Sequence, residues 1–180
     1  MTGDQSNLSG VTHSILHGFN YSPQEVPFPG WIMYGAFLNE RNSWWPYFNL
    51  WATYKSRVST VLQESDFFAD IAVMHPLADM WTIHGPQRAP FPSLHYPSYQ
   101  YHVWEAIHQN GNSCDYISEN IIQQSSFKKG NLVFNNRKYN TLMLLEVESM
   151  MPPTAETLVE FVKAGGKLIF VGKEPFYYEL

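Results

Sequence analysis

From residue 68 to residue 171, short apolar runs alternate with segments of helical periodicity, and this constrains the fold more than any other feature of the chain. Phe68–Met74 is a compact apolar run that stops at His75-Pro76, as suits a strand buried on both faces of a parallel sheet. Ser98–Gln109 has helical spacing, with Tyr99, Val103, Ala106 and Ile107 on the inward face and Asn110-Gly111 as the stop. Cys114–Ile117 reads as a short strand, and Ile121-Ile122 as the extension of a helical turn. Gly130–Phe134 and Arg137–Tyr139 flank a turn at Asn135-Asn136. Thr141–Glu146 is the clearest strand of all. Pro152-Pro153 and Thr154 open a helix that faces inward through Leu158, Phe161 and Val162, Gly165-Gly166 end it, and Lys167–Val171 is the last strand. The expected class is α/β: an open, mainly parallel, flavodoxin-like (Rossmann-like three-layer) sheet with helices on both sides. Right-handed crossovers make 2-1-3-4 its simplest strand order. Between its first strand and first helix, Leu77–Pro97 holds four prolines and reads as a long irregular loop, of a length often tied to function.

The region before this sheet has a different character. Residues 1–10 are polar and read as a flexible lead; residues 11–66 then give a strand, a long loop and a helix; residues 67–180 carry the sheet. Val11–His17 is the strand-like run, and Pro23, Pro27, Pro29 and Gly30 punctuate the loop. Asn42 or Ser43 can cap the helix and Pro46 suits its first turn, with Phe48, Trp51, Ala52, Val58, Val61 and Leu62 recurring on one face.

Composition removes several classes of function. A net charge of -5, with Lys128-Lys129 as the densest basic cluster, leaves no stripe to neutralise phosphates, so nucleic acid is not an expected partner. No stretch approaches the roughly 18 apolar residues of a membrane span, and residues 1–10 lack the basic-then-apolar pattern of a signal peptide. The reading is a soluble chain. One cysteine, Cys114, excludes an intrachain disulfide framework and a multi-cysteine zinc site. Cys114 lacks a neighbouring glycine and the elbow of an amidotransferase nucleophile, so an inert buried thiol is expected. No glycine-rich phosphate loop follows Ile71–Met74, which argues against a nucleotide or flavin. Aromatic residues, at 16%, suit either an aromatic core or surfaces that stack on sugar rings.

Specific segments narrow the choice. His17-Gly18-Phe19-Asn20-Tyr21-Ser22-Pro23, then Pro27-Phe28-Pro29-Gly30-Trp31, then Tyr34 to Trp45 resemble the last strand, loop and helix of the catalytic (β/α)8 barrel in family 106 glycoside hydrolases, the α-L-rhamnosidases. Ala69–Val73, Cys114–Ser118, Tyr139–Leu142 and Pro152–Val171 resemble the flavodoxin/amidotransferase-like domain that follows that barrel; Leu145-Glu146-Val147-Glu148 departs from it where an apolar strand ending in proline is usual. The resemblance implies a carbohydrate-cleaving parent enzyme, acting on a rhamnose-containing glycan, with this chain as its carboxyl-terminal piece. It leaves room for a homo-oligomer and for a periplasmic or secreted parent. The second half also suits a non-catalytic structural or oligomerisation module of a β-galactosidase-like enzyme.

The same resemblance places His17 at the carboxyl end of the eighth barrel strand, the face where barrel enzymes build their sites. Tyr21 and Trp31 follow in its loop, Trp31 being the best sugar platform, while Trp44 and Trp45 read as packing residues. His75, Asp79 and Trp81 lie just outside a strand's carboxyl end, where open α/β sheets take ligands, and complete the expected substrate-binding set. His75, Asp79 and His84 also offer oxygen and nitrogen donors. Calcium is associated with the parent family, but imidazoles are poor calcium ligands, so no cofactor or metal is expected in this chain. Glycoside hydrolysis needs two carboxyl groups flanking the bond. The loop acids Glu25, Glu40 and Asp79 make no convincing pair, and the catalytic residues stay unassigned.

Overall fold

The computed structural model describes residues 2–31, 37–84 and 98–172. The chain forms two compact units, residues 1–67 and 68–180.

The second unit is built on a four-stranded, all-parallel sheet. Its strands are β1 (Ile71–Met74), β2 (Cys114–Ile117), β6 (Thr141–Leu145) and β7 (Lys167–Val171), in the order β2-β1-β6-β7. Counting parallel strands alone, this is 2-1-3-4, the expected order. Ile71 pairs with Cys114 on one side and Thr141 on the other, so β1 has no free edge. Ala72, Val73 and Met74 are accordingly buried, as are Leu142, Leu144 and Leu145 of β6. Burying side chains of this size contributes about 1.5–3 kcal/mol each. Helix α4 (Ser98–Gln109) covers the face that carries Val73, Cys114 and Leu145. The β1-to-β2 and β6-to-β7 connections run in opposite directions across the sheet. Right-handedness therefore puts α6 (Pro152–Lys163) on the other face.

Helix α6 is stopped by a Schellman motif. Gly165 N–H donates to Val162 O (2.9 Å) and Gly166 N–H to Phe161 O (3.0 Å), with Gly165 in the left-handed region at φ +89°. Phe161 is fully buried and its ring lies against Gly166 so closely that a methyl there would overlap it.

Between β2 and β6 the chain inserts helix α5 (Glu119–Gln123) and a three-stranded antiparallel sheet of β3 (Ser126–Lys128), β4 (Asn131–Phe134) and β5 (Arg137–Tyr139). The β3–β4 turn is Lys129-Gly130, both with positive φ (52° and 75°), as a two-residue hairpin of type I′ requires. A side chain on Gly130 would come within 2.9 Å of Gly165 O, so the hairpin tip rests on the turn that ends α6. The buried Tyr139 donates its hydroxyl to Asp115 Oδ2 (2.8 Å), and Arg137 Nε lies 3.5 Å from the same oxygen. Burial and the Asp115 acceptor push the Tyr139 phenol above its ordinary range.

Several expectations need correcting. Leu77–His84 is helix α3, not irregular loop; the four prolines that suggested loop all lie after it, and residues 85–97 lie outside the described residues. The first strand starts at Ile71, because Phe68 is exposed. On α4, Ala106 faces solvent and Trp104 packs inward with Tyr99, Val103 and Ile107. On α6, Val162 is exposed and Thr154 takes the buried place. Strand β3 was not anticipated, since Ser126–Lys128 has no apolar alternation.

The first unit contains helix α1 (Thr2–Leu8) and helix α2 (Phe48–Gln63), the latter led by a 3-10 turn at Trp45–Tyr47. The opening residues are thus helical instead of a flexible lead. Tyr54 Oη donates to Asp4 Oδ1 (3.0 Å) and Lys55 Nζ to Gly3 O (3.2 Å), which dock α1 on α2. Asn42 Oδ1 accepts from Trp44 N (3.3 Å), an Asx turn set before the helix. Val11–His17 forms no strand; among the described residues of this unit no strand pairs with it, and Ile15 is 89% exposed. Unpaired backbone groups need water, so the run stays open. Nor does α2 bury any residue: on the apolar face read as inward, Phe48, Ala52, Val58 and Leu62 are partly buried, while Trp51 and Val61 are exposed. Among the described residues of the unit only Leu38, Asn39 and Asn42 are buried.

The face assignment of α6 predicts unequal losses. Phe161→Ala should lower stability by about 3–5 kcal/mol, whereas Val162→Ala, on the exposed side, should change it by about 0.5 kcal/mol or less. Urea unfolding midpoints measure both, and equal shifts would refute the packing described.

Candidate functional site

In the first unit the loop before α2 is organised by one guanidinium. Arg41 donates from Nη1 to Ser22 Oγ (3.3 Å) and Pro23 O (3.2 Å), and from Nη2 to Val26 O (2.5 Å). Ser22 Oγ also accepts from Trp31 N (3.1 Å). The loop's ends are joined by Asn20 N to Leu38 O (2.8 Å) and Leu38 N to Asn20 Oδ1 (3.2 Å). Arginine suits this work because its planar fork serves several carbonyls at once. The loop so held presents Tyr21 at 73% and Trp31 at 61% exposure, and His17 is exposed as well. Large aromatic faces left open on a braced loop can stack on the C–H face of a sugar ring.

Behind the loop lies a ladder of rings. Phe19 meets Trp45 edge-on (5.7 Å), Trp45 stacks on Phe48 (5.0 Å, 8°), and Phe48 leans on Trp51 (5.6 Å). Trp44 and Trp45 are thus engaged with neighbouring rings. Asn39 is buried, and its Oδ1 accepts from Arg41 N (3.0 Å) while its Nδ2 has no hydrogen-bond partner among the described residues. Glu25 and Glu40 are exposed.

In the second unit the carboxyl edge of the sheet brings His75 together with residues that sequence reading had not singled out. Its ring stacks on Tyr116 of β2 (4.3 Å), and its Nδ1 receives the amide of the buried Gln100 from α4 (2.9 Å). Burial lowers the affinity of His75 for a second proton. Protonation at Nδ1 would also set a donor against the Gln100 amide.

Asp79, on α3, does something different. Its Oδ2 accepts from Glu148 N (3.0 Å) and Ser149 N (3.3 Å), and its Oδ1 accepts from the Ser149 hydroxyl. The carboxylate therefore ties the segment after β1 to the loop after β6. These segments flank the point where strand order reverses, the place where nucleotide-binding sheets admit an anion. Here the chain's own carboxylate engages the amides. The departure at Leu145–Glu148 belongs to this arrangement: Val147 is fully buried, and Glu146 takes φ +53° while donating its N–H to Val171 O (2.8 Å).

A comparable link runs between α5 and α6. Glu119 Oε2 accepts from Met151 N (2.7 Å) and Thr154 Oγ1 (2.6 Å), and Gln123 Nε2 donates to the same hydroxyl (2.8 Å). Trp81 is exposed at 66% on α3. The side chain of His84 lies outside the described residues, and among the described residues no group of three His, Cys, Asp or Glu side chains is placed to hold a metal. Cys114 is buried, and desolvation together with Asp115 and Asp70 raises its thiol to about 11, consistent with an inert core residue. No described helix is long and apolar enough to cross a membrane.

The candidate set therefore falls into two groups, His17, Tyr21 and Trp31 on the first unit and His75, Asp79 and Trp81 on the second. Aromatic faces on a braced loop fit a carbohydrate protein, and sequence comparison carries this to a family. The profile of the α-L-rhamnosidases, glycoside hydrolase family 106, matches residues 1–177, and the chain belongs to that family. A protein of Formosa agariphila named "Putative beta-glucuronidase" is 27% identical over 176 residues, which cover 96% of this chain and 13% of that relative. The chain thus spans about an eighth of the relative it matches. No solved structure matches it.

Two outcomes follow. Asp79→Ala should lower stability by about 1–2 kcal/mol and speed hydrogen exchange at the Glu148 and Ser149 amides; unchanged exchange there would dismiss the tie. For His75, the folded-state proton affinity is below the unfolded one, near 6.5. Below that pH the unfolded chain takes up a proton that the native chain resists, so stability falls as pH drops through about 6.5. His75→Gln should flatten this part of the urea-midpoint against pH curve.

Proposed function

We propose that this chain is part of an α-L-rhamnosidase-type glycoside hydrolase, supplying sugar-pocket and interdomain surface while the catalytic carboxylates lie elsewhere in the protein. In this reading residues 11–66 close a (β/α)8 barrel, and residues 67–180 are the flavodoxin/amidotransferase-like domain that follows it. The observation that carries it is the mismatch between coverage and core. The family profile runs through nearly the whole chain, yet the chain spans 13% of its relative, and the first unit leaves α2 without a buried residue. Asn39 Nδ2, buried without an acceptor among the described residues, is a further group that additional polypeptide or a sugar hydroxyl would satisfy.

On this reading Trp31 and Tyr21 stack on the substrate, His17 hydrogen-bonds a sugar hydroxyl, and His75, Asp79 and Trp81 supply further substrate-binding surface. The parent's ligand is a rhamnose-containing glycan, handled outside the membrane in the periplasm or medium, with calcium held by parts of the enzyme beyond this chain.

The test uses the 180-residue chain beside the longer protein that contains it. With a chromogenic α-L-rhamnoside the chain alone should give no turnover, and the longer protein should hydrolyse it in preference to the corresponding β-D-glucuronide. Trp31→Ala in the longer protein should lower kcat/KM by about tenfold or more, the loss of roughly 1.4 kcal/mol of transition-state binding. Turnover by the isolated chain, or preference for the glucuronide, would defeat the proposal.

A further inference from the structure

Gln100 lies in the first turn of α4, is only 8% exposed, and turns its side-chain amide toward the carboxyl end of β1. There its Nε2 donates to His75 Nδ1 (2.9 Å). An amide nitrogen can only donate, so the ring nitrogen it faces is the unprotonated one, and the neutral imidazole carries its hydrogen on Nε2. The opposite tautomer would set two N–H groups against each other at 2.9 Å.

The ring is held in plane as well as in tautomer. Tyr116 of β2 stacks on it, with 4.3 Å between centroids and 29° between planes. Burial further disfavours a proton on both nitrogens at once. Nε2 of His75 meets no hydrogen-bond partner among the described residues. It stands at the sheet's carboxyl edge, beside the point where strand order reverses and open α/β sheets take ligands.

We infer that Gln100 is a positioning residue, which holds His75 as an Nε2–H donor and bars it from serving as a general base or a metal ligand. Both barred roles need a ring lone pair that a ligand can reach, and the one lone pair of the neutral ring is engaged by Gln100. The atom that His75 contacts in a ligand is therefore an oxygen that accepts a hydrogen bond. The tautomer stands on this geometry alone; the ligand contact rests on the reading of His75 as substrate-binding surface.

Long-range nitrogen–proton NMR on the full 180-residue chain reads the tautomer directly, in mildly alkaline buffer where the ring is neutral. His75 is assigned by the signals that His75→Gln removes. Nδ1 should show the shift of an unprotonated nitrogen and Nε2 that of a protonated one. Gln100→Glu offers an acceptor in place of the donor and should bring hydrogen onto Nδ1; Gln100→Leu should leave a mixture of tautomers. Circular dichroism checks that each variant is folded. Hydrogen on Nδ1 in the unsubstituted chain, or on Nε2 alone in Gln100→Glu, overturns the inference.

In the longer protein, His75→Met should lower kcat/KM for the chromogenic rhamnoside by about tenfold, while His75→Gln, which keeps an N–H near the place of Nε2, should stay within about threefold. Gln100→Leu should cost activity only while His75 is present, so adding it to His75→Met should change nothing further. Equal losses in His75→Gln and His75→Met would end the donor role. A spectrum with Nε2–H beside a longer protein that cleaves no rhamnoside would uphold the positioning role and defeat the proposed function.

Discussion

The second unit depends on the removal of β1 from water on every side. A strand paired on both edges and covered on both faces cannot hydrogen-bond solvent, so β2 and β6 must supply partners for every buried N–H and C=O. The rest is forced by that demand. Parallel neighbours need crossovers, right-handed crossovers put helices on both faces, and the helices bring Ile107, Leu158 and Phe161 to the sheet. The residues beside this buried strand are where chemistry collects: His75 leaves it at one end, and Asp70 takes the amide of Ser113 at the other (3.3 Å).

This constraint explains what was legible in the sequence. Strands and helices whose apolar residues recur with a clear period, such as Ser98–Gln109 and Lys167–Val171, have observed bounds that match those read from the pattern. Glycine and proline punctuation fixed the ends of α6. Face assignments failed at one residue on each of two helices: Ala106 faces solvent where Trp104 packs inward, and Val162 is exposed while Thr154 is buried. Leu77–His84 was misread because four prolines downstream suggested loop for the entire stretch.

The candidate site was legible in part, as residue types and not as partners. His75 and Asp79 could be picked from their place after a strand. What they touch could not, because the other half of each contact is backbone amide or a residue distant in sequence: Glu148 and Ser149 for Asp79, Gln100 and Tyr116 for His75. Arg41 was missed for the same reason, since two of its three acceptors are carbonyl oxygens that carry no side-chain signature. The first unit depends on such polar bracing because it has so little core of its own. The strand expected at Val11–His17 was read from a pattern that only a neighbouring strand can make real.

The contact between Gly130 and Gly165 has a wider consequence. Insertions in α/β domains are commonly the parts most free to lengthen, since their tips point into solvent. This meander is pinned at both ends, by the Tyr139 hydroxyl on Asp115 and by its tip on the turn after α6. It acts as a strut of fixed span between the second and fourth parallel strands. One residue more in either hairpin would lift the tip from its seat, so relatives that keep both glycines should keep the length of the meander too.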